Sequence, residues 1–146
     1  MISMNDTGST ETIVIGLEPD EMLLESIKEA VRKYDIQNGV VVSGVGTLKT
    51  CHLHFVTDTE FPPTDKFVMI EKPLELLSVS GIIADGEPHL HVVVSWEDKK
   101  VYAGHLEEKS EVLYLAEVAI VKFGVLKLTR RKDTKRHIAL LAGKKG

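Results

Sequence analysis

Apolar and polar positions along the chain follow a helical period in only one segment. The apolar positions of that segment are Leu23, Ile27, Ala30, Val31 and Tyr34. Their spacing of i, i+4, i+7, i+8 and i+11 places them on one stripe of a helix, with charged residues off the stripe. The run 18–21 (Glu-Pro-Asp-Glu) is typical of a first helical turn, and Asn38-Gly39 is typical of the end. We therefore expect one amphipathic helix that covers one face of a sheet.

The other apolar segments are short and rich in β-branched residues, which favours strands. They are the segments 12–17, 40–45, 50–57, 66–71, 74–84, 111–121 and 125–129. Segment 111–121 alternates imperfectly and fits either a helix or a strand, but its valine, isoleucine and tyrosine content favours a strand. The pattern as a whole predicts a mostly β domain with one main helix.

Length and composition indicate a single globular domain. Hydrophobic residues make up 43% of the 146 residues and charged residues 27%, both ordinary values. No apolar run approaches the roughly 18–20 residues of a membrane span, so we expect no membrane contact. The first residues are polar, without a signal segment, and Cys51 is the single cysteine. We expect a cytoplasmic protein with a flexible leader (1–11), one domain (12–129) and a basic C-terminal tail (130–146).

Charge is unevenly distributed along the chain. From Lys122 onward there are nine Lys and Arg against one acid, which leaves residues 1–121 with nine Lys and Arg against 21 acids. An acidic body repels nucleic-acid phosphate, so only the tail could bind nucleic acid. The tail positions for that role are Lys127, Arg130, Arg131, Lys132, Lys135 and Arg136. The alternative is that the tail packs on the acidic body of its own or a neighbouring subunit.

Three histidines suggest a metal site. His89 and His91 are two residues apart and share a face if the segment is a strand. A hairpin with an odd-length loop centred on Asp98 places His105 directly opposite His91. Three neutral imidazoles with one open position are typical of zinc or a similar divalent metal, with water or a small anion as the fourth ligand. An even-length loop would instead turn His105 to the other face and leave unrelated polar residues.

Nearby acids and a second histidine pair leave further hypotheses open. Asp85, Glu87 and Glu117 are candidates to orient the metal-binding rings, although each also fits an ordinary solvated position. If the site were an enzyme, Glu87 would be the candidate catalytic general base. His52 and His54 form another pair, but no third ligand lies at a readable spacing.

Motifs around these histidines resemble a known family. The relevant stretches are 74–81 (LELLSVSG), 85–91 (DGEPHLH) and 103–106 (AGHL), together with Ser43-Gly44-x-Gly46 and Ala116-Glu117-Val118. They resemble the PPC (plants and prokaryotes conserved) domain over about residues 12–123. The family motif ends in Gly-Gly-His-Leu, and here Ala103 replaces its first glycine.

The resemblance implies an α+β fold, a mostly antiparallel sheet with one main helix packed on it, assembled as a homotrimer. It also implies that His89, His91 and His105 are metal ligands. The family is often labelled as DNA-binding, and its plant members carry a separate AT-hook that this chain lacks. Their partner-binding loop corresponds to residues 72–77, which keep the glutamate, Glu75, but lack the Gly-Arg.

Overall fold

Antiparallel strands form most of the structure, a computed structural model that describes residues 1–97 and 99–144. The elements are β1 (Glu11–Leu17), α1 (Leu23–Lys33), β2 (Asn38–Val56), β3 (Asp65–Ala84), β4 (Glu87–Ser95), β5 (Val101–Leu106), β6 (Val112–Lys122), β7 (Leu128–Lys132) and β8 (Ala139–Gly143). The predicted α+β class, with one main helix on an antiparallel sheet, is confirmed. No helix within the described ranges is long and apolar enough to cross a membrane.

The helix buries four of the five residues of the predicted stripe; the fifth, Tyr34, is exposed. The helix begins later than its acidic run suggests, and it ends at Lys33, before Asn38-Gly39, which instead begins β2. Leu23, Ile27, Ala30 and Val31 are buried in the core. The backbone before the helix is held by the start of β6 instead, because Asp20 N–H donates to the Val112 carbonyl at 3.1 Å and Val112 N–H donates to the Glu21 carbonyl at 2.9 Å. Residues 18–21 therefore form a turn, and α1 starts at Leu23.

Six strands form the main sheet in the order β1-β6-β2-β3-β4-β5, and β5 also pairs with β2. This extra pairing joins β2, β3, β4 and β5 into a closed ring of strands. Along β4, Leu90, Val92 and Val94 face the core while His89 and His91 face outward. The closed ring thus brings the outward-facing residues of β2, β4 and β5 onto one surface.

Long strands replace several pairs of predicted short ones. Predicted segments 40–45 and 50–57 belong to the single strand β2, and 66–71 and 74–84 belong to β3. The pairing of β2 with β3 continues through a register shift between Leu48 and Thr50 of β2. Such a bulge bends a strand without ending its pairing. This explains why the four-residue gap at 46–49 and the two-residue gap at 72–73, which contains Pro73, do not divide the strands.

A two-stranded hairpin, β7–β8, follows the main sheet. Its first strand lies later than the predicted 125–129 segment and crosses the predicted boundary between domain and tail. Leu128 is buried, and its N–H donates to Asn38 Oδ1 at 2.8 Å. At the other end, Lys144 Nζ forms an ion pair with Asp85 Oδ1 at 2.6 Å. These contacts fix the hairpin against the body of the protein.

Candidate metal centre

The hairpin register brings His91 and His105 together. Antiparallel pairing of β4 with β5 places His91 opposite His105 and Ser95 opposite Val101. The predicted odd-length register is therefore confirmed, while Asp98, the predicted centre of the loop, lies outside the described residues. His89 lies two residues before His91 and faces the same side of β4.

The three rings form a compact cluster. One ring nitrogen from each of His89, His91 and His105 lies within 4.8 Å of the others. Ring centroids are 5.5 Å apart for His89–His91, 4.9 Å for His89–His105 and 5.7 Å for His91–His105. Within residues 1–97 and 99–144, none of their ring nitrogens forms a hydrogen bond. Unengaged imidazole nitrogens at this spacing fit one divalent ion.

Local electrostatics favour the neutral forms of His89 and His105. Burial, with the charges of His54, His89 and His91, lowers the pKa of His105 to about 4 from 6.5, against a smaller opposing effect of Glu107. Burial also lowers the pKa of His89, with a further contribution from the Arg130 cation. Neutral imidazole is the form that binds a metal, so His89 and His105 are suited to ligation below neutral pH.

A fourth histidine belongs to the same surface. The pairing of β2 with β5 places His54 opposite His105, and the two rings stack with centroids 4.5 Å apart. His54 Nδ1 lies 2.6 Å from Glu107 Oε1. His54, His105 and Glu107 make a second group whose ligand atoms lie within 4.8 Å of one another. The sequence contained only one hint of this role, the second His-x-His pair.

His52, the other member of that pair, lies outside both groups. Its Nδ1 is 2.9 Å from the Glu108 carbonyl oxygen, and its ring centroid is 6.0 Å from that of Phe67. Its ring nitrogen is thus engaged by the backbone, which separates its role from that of His54.

Two open cavities meet at the histidine cluster. The first, called the His54 cavity, has a volume of about 430 Å³ and is lined by His54, Phe55, Val56, His89, His91, Ala103, Gly104 and His105. The second, called the Arg130 cavity, has a volume of about 370 Å³ and is lined by Gly81, Ile82, His89, His91, Arg130, Ala139, Leu140 and Leu141. His89 and His91 line both, so an ion bound there would be accessible from two sides.

The three acids predicted to orient the rings lie outside both histidine groups. Glu87 precedes His89 by two residues on β4; its side chain is exposed and its carbonyl accepts a hydrogen bond from Arg130. Asp85 forms the ion pair with Lys144, and Glu117 is exposed on β6. A catalytic role for Glu87 stays a prediction.

The basic residues predicted to contact nucleic acid are partly engaged within the chain. Arg130 donates to the carbonyls of Ile82 and Glu87, at 3.0 Å each. Arg131 donates to the Gly143 carbonyl, and Arg136 forms an ion pair with Asp133. Exposed side chains remain at the other three positions, Lys127, Lys132 and Lys135.

The fold and cluster define an α+β domain with a histidine-rich site on the outer face of a closed sheet. A model of the Plants and Prokaryotes Conserved (PCC) domain, abbreviated PPC above, matches residues 4–124. The chain belongs to this family. A PPC protein of Pyrococcus horikoshii is 30% identical, with a TM-score of 0.79 and 99% of each chain covered.

Other similar proteins share the fold at lower identity. A metal-containing protein of Archaeoglobus fulgidus, AF0104, is 23% identical, with a TM-score of 0.81 over 97% of this chain and 99% of that one. A candidate DNA-binding protein of Bacteroides thetaiotaomicron is 15% identical, with a TM-score of 0.79 over 94% of this chain and 99% of that one.

A longer relative matches over part of its length. The bifunctional protein GlmU of a Synechococcus strain, JA-3-3Ab, is 27% identical over 127 residues, which is 87% of this chain. The chain spans about a fifth of the length of the curated relatives it matches.

Proposed function

We propose that this protein is a metal-binding domain in which His89, His91 and His105 hold one divalent ion. The observation that supports the proposal most is the convergence of three unengaged ring nitrogens within 4.8 Å. Zinc is the ion we favour, because three neutral imidazoles and one open position form a common zinc site. The open position would accept water or a small ligand from either cavity.

Metal content is the direct test of this proposal. Protein purified without added metal, then dialysed against zinc, should carry about one ion per chain by elemental analysis, as a three-ligand site requires. His91→Ala should lose most of that metal, since two ligands seldom hold zinc. His52→Ala is the matched control, because His52 lies on the same sheet but outside both groups. Equal zinc content in His91→Ala and wild type would contradict the proposal.

We extend the proposal to a homotrimer, the assembly that the family resemblance implies. Apolar side chains surround the histidines on the outer face of the sheet. Phe67 pairs opposite His54, Met69 pairs opposite His52, and Val56 follows His54 by two residues. Their exposed fractions are 57%, 42% and 58%. Large exposed apolar residues in one patch favour a protein–protein interface, which here would be formed by further copies of this chain.

A second candidate function is a metal-dependent enzyme, and the His54–Glu107 pair favours it. When bound, the ion would supply Lewis acidity to a ligand in its open position. Beside that position, His54 Nδ1 is held by Glu107 at 2.6 Å, which fixes the ring orientation. His54 lines the His54 cavity with the cluster, and its Nε2, 4.0 Å from Asp65 Oδ1, forms no hydrogen bond within the described part of the chain. It could therefore accept a proton from a water that enters.

Hydrolysis of an activated phenyl ester separates this enzyme hypothesis from simple binding. Activity should vanish with a chelator and return with zinc. His54→Gln should lower kcat by about 100-fold, the usual contribution of a general base, while zinc content is retained. Glu87→Gln tests the original prediction of a base at Glu87. Chelator-resistant hydrolysis, or an unchanged kcat in both variants, would contradict a metal-dependent reaction with either base.

DNA binding remains a separate proposal, supported by the basic tail and by the name of the Bacteroides relative. Three of its six basic side chains are engaged within the chain. We expect the exposed lysines to give only weak binding with a strong salt dependence. Replacing Lys127, Lys132 and Lys135 by glutamine should abolish it in a filter-binding assay; sequence-specific binding that survives would contradict this. A cytoplasmic location likewise stays a prediction.

A further inference from the structure

Arg130 is a cation held in place beside the histidine cluster. It lies on β7 and is half-buried, and both of its Nη atoms donate to main-chain carbonyls, those of Glu87 and Ile82. These carbonyls flank the cluster in the sheet, because Ile82 pairs directly opposite His89. Two hydrogen bonds of 3.0 Å fix the guanidinium plane, so the long Arg130 side chain is held in one position.

Its charge is not neutralised by an ion pair. The Glu87 carboxylate acts on Arg130 electrostatically, but no carboxylate forms an ion pair with it within residues 1–97 and 99–144. A guanidinium has five N–H donors, and the two carbonyls occupy two of them. Three donors therefore remain for a ligand.

The surroundings of Arg130 place this free charge next to the metal ligands. Arg130, His89 and His91 line the same cavity of about 370 Å³. A bound divalent ion and Arg130 would then make two positive centres at one cavity, which strongly favours an anion between them.

Part of the cavity lining is apolar. It is formed by Ala139, Leu140 and Leu141 of β8, and Leu141 pairs directly opposite Arg130 in the hairpin. Leu140 and Leu141 are 45% and 37% exposed. An apolar wall next to two positive centres suits a ligand that has an anionic head and a hydrocarbon body.

We propose that the Arg130 cavity binds a small organic carboxylate, with its head between the metal and the guanidinium and its hydrocarbon part against Leu140 and Leu141. This inference rests on the proposed metal centre, and it names the class of ligand for the open position. It also assigns a role to the hairpin, which lies beyond the segment 4–124 that matches the family.

The test uses cobalt-loaded full-length protein and three probes: the two acids acetate and hexanoate, and inorganic phosphate. The visible spectrum of cobalt reports whether the anion enters the coordination sphere, and calorimetry gives the affinity. Wild type should bind hexanoate more tightly than acetate, with a spectral change for both acids. Arg130→Gln should weaken both by about tenfold or more, because a charge-assisted hydrogen bond is lost. Arg130→Lys keeps the charge and should weaken them less.

Two further variants serve as control and cross-check. Arg131→Gln removes the neighbouring charge, whose Nη2 contacts the Gly143 carbonyl instead, and should leave both affinities unchanged. Leu141→Ser should weaken hexanoate by about threefold and leave acetate unchanged, since only the hydrocarbon part loses contact. Because Leu141 is on the surface, this variant tests the cavity even if Arg130→Gln fails to fold.

The outcomes distinguish the ligand from the metal centre. If wild type binds cobalt but Arg130→Gln and Leu141→Ser bind both acids as wild type does, the carboxylate inference is wrong and the metal centre stands. If phosphate binds through Arg130 and neither acid does, the ligand class is wrong. If wild type binds no metal, both proposals fail.

Discussion

The ring of His105 is the most perturbed group of the cluster. Its pKa of about 4 has burial as the largest cause, followed by the charge of His54. Because burial removes water from the ring, the charged form loses solvation that the neutral form hardly needs. The metal-free site therefore avoids the repulsion that three charged imidazoles would produce at mildly acidic pH.

We expect this shift to make the metal-free protein less stable in acid. Between pH 6.5 and 4, the unfolded chain protonates His105 while the folded chain does not, so the unfolding free energy falls as pH falls. Above about pH 6.5 the residue is neutral in both states and makes no contribution. The His105 ring proton signal should titrate near pH 4 by NMR.

His105→Asn removes the titrating ring, and it should therefore flatten the pH dependence of Tm between 6.5 and 4. His137→Asn is the control, because His137 is an exposed turn residue outside the cluster. A His105 midpoint near the ordinary 6.5 would contradict the burial argument.

Strand β5 depends on a close approach to β2 for which glycine is required. A Cβ built on Gly104 would lie 2.5 Å from the His54 carbonyl oxygen and 3.1 Å from Leu53 Cδ1. The first distance is much shorter than a van der Waals contact. The atom it involves belongs to the backbone, which cannot move aside as the end of a side chain can. The absence of a side chain at 104 thus allows His54 and His105 to stack.

Gly104→Ala should push β5 away from β2 and displace His105 from the cluster. We expect a loss of roughly 1–3 kcal/mol in unfolding free energy, the usual cost of overpacking, and at least tenfold weaker zinc binding. Denaturant unfolding and metal titration measure the two effects. Gly16→Ala on β1 is the control, because a Cβ there meets nothing within 4 Å. Wild-type zinc affinity in Gly104→Ala would show that the close approach does not position the site.

Sequence separation explains which parts of the site could be predicted. His91 and His105 belong to one hairpin, so a local spacing argument was enough to pair them. His54 reaches His105 through the β2–β5 pairing, and Arg130 reaches the cluster through a hairpin beyond the sheet. Neither placement follows from periodicity, since both depend on contacts between segments that are far apart in the sequence. The amphipathic helix was predicted because its signal is local, whereas its start was not, since tertiary hydrogen bonds set it.

At the scale of the whole molecule, the position of the histidines links the site to assembly. The cluster lies on the outer face of the closed sheet, beside Val56, Phe67 and Met69. Phe67 also contacts the site directly, with its ring centroid 5.1 Å from that of His54. If further copies of the chain cover this face, they would also narrow the access of water to the His54 cavity.

Phe67→Glu should dissociate the proposed trimer, because it places a charge where apolar surface would otherwise be buried. Light scattering after gel filtration should give a mass near three chains of 16.2 kDa for wild type and near one chain for the variant. Val14→Glu is the matched control: Val14 is 70% exposed, but it lies on β1, at the opposite edge of the sheet from β5. We expect it to remain trimeric.

The metal content of Phe67→Glu then shows whether metal binding depends on trimer formation. His89, His91 and His105 all come from one chain, so a monomeric Phe67→Glu variant should still bind about one zinc ion. Weaker retention of that ion during dialysis would indicate that neighbouring chains shield the cluster from solvent. A wild-type mass of one chain at micromolar concentration would contradict the trimer and leave the three-histidine proposal intact, because no ligand in it is supplied by a partner.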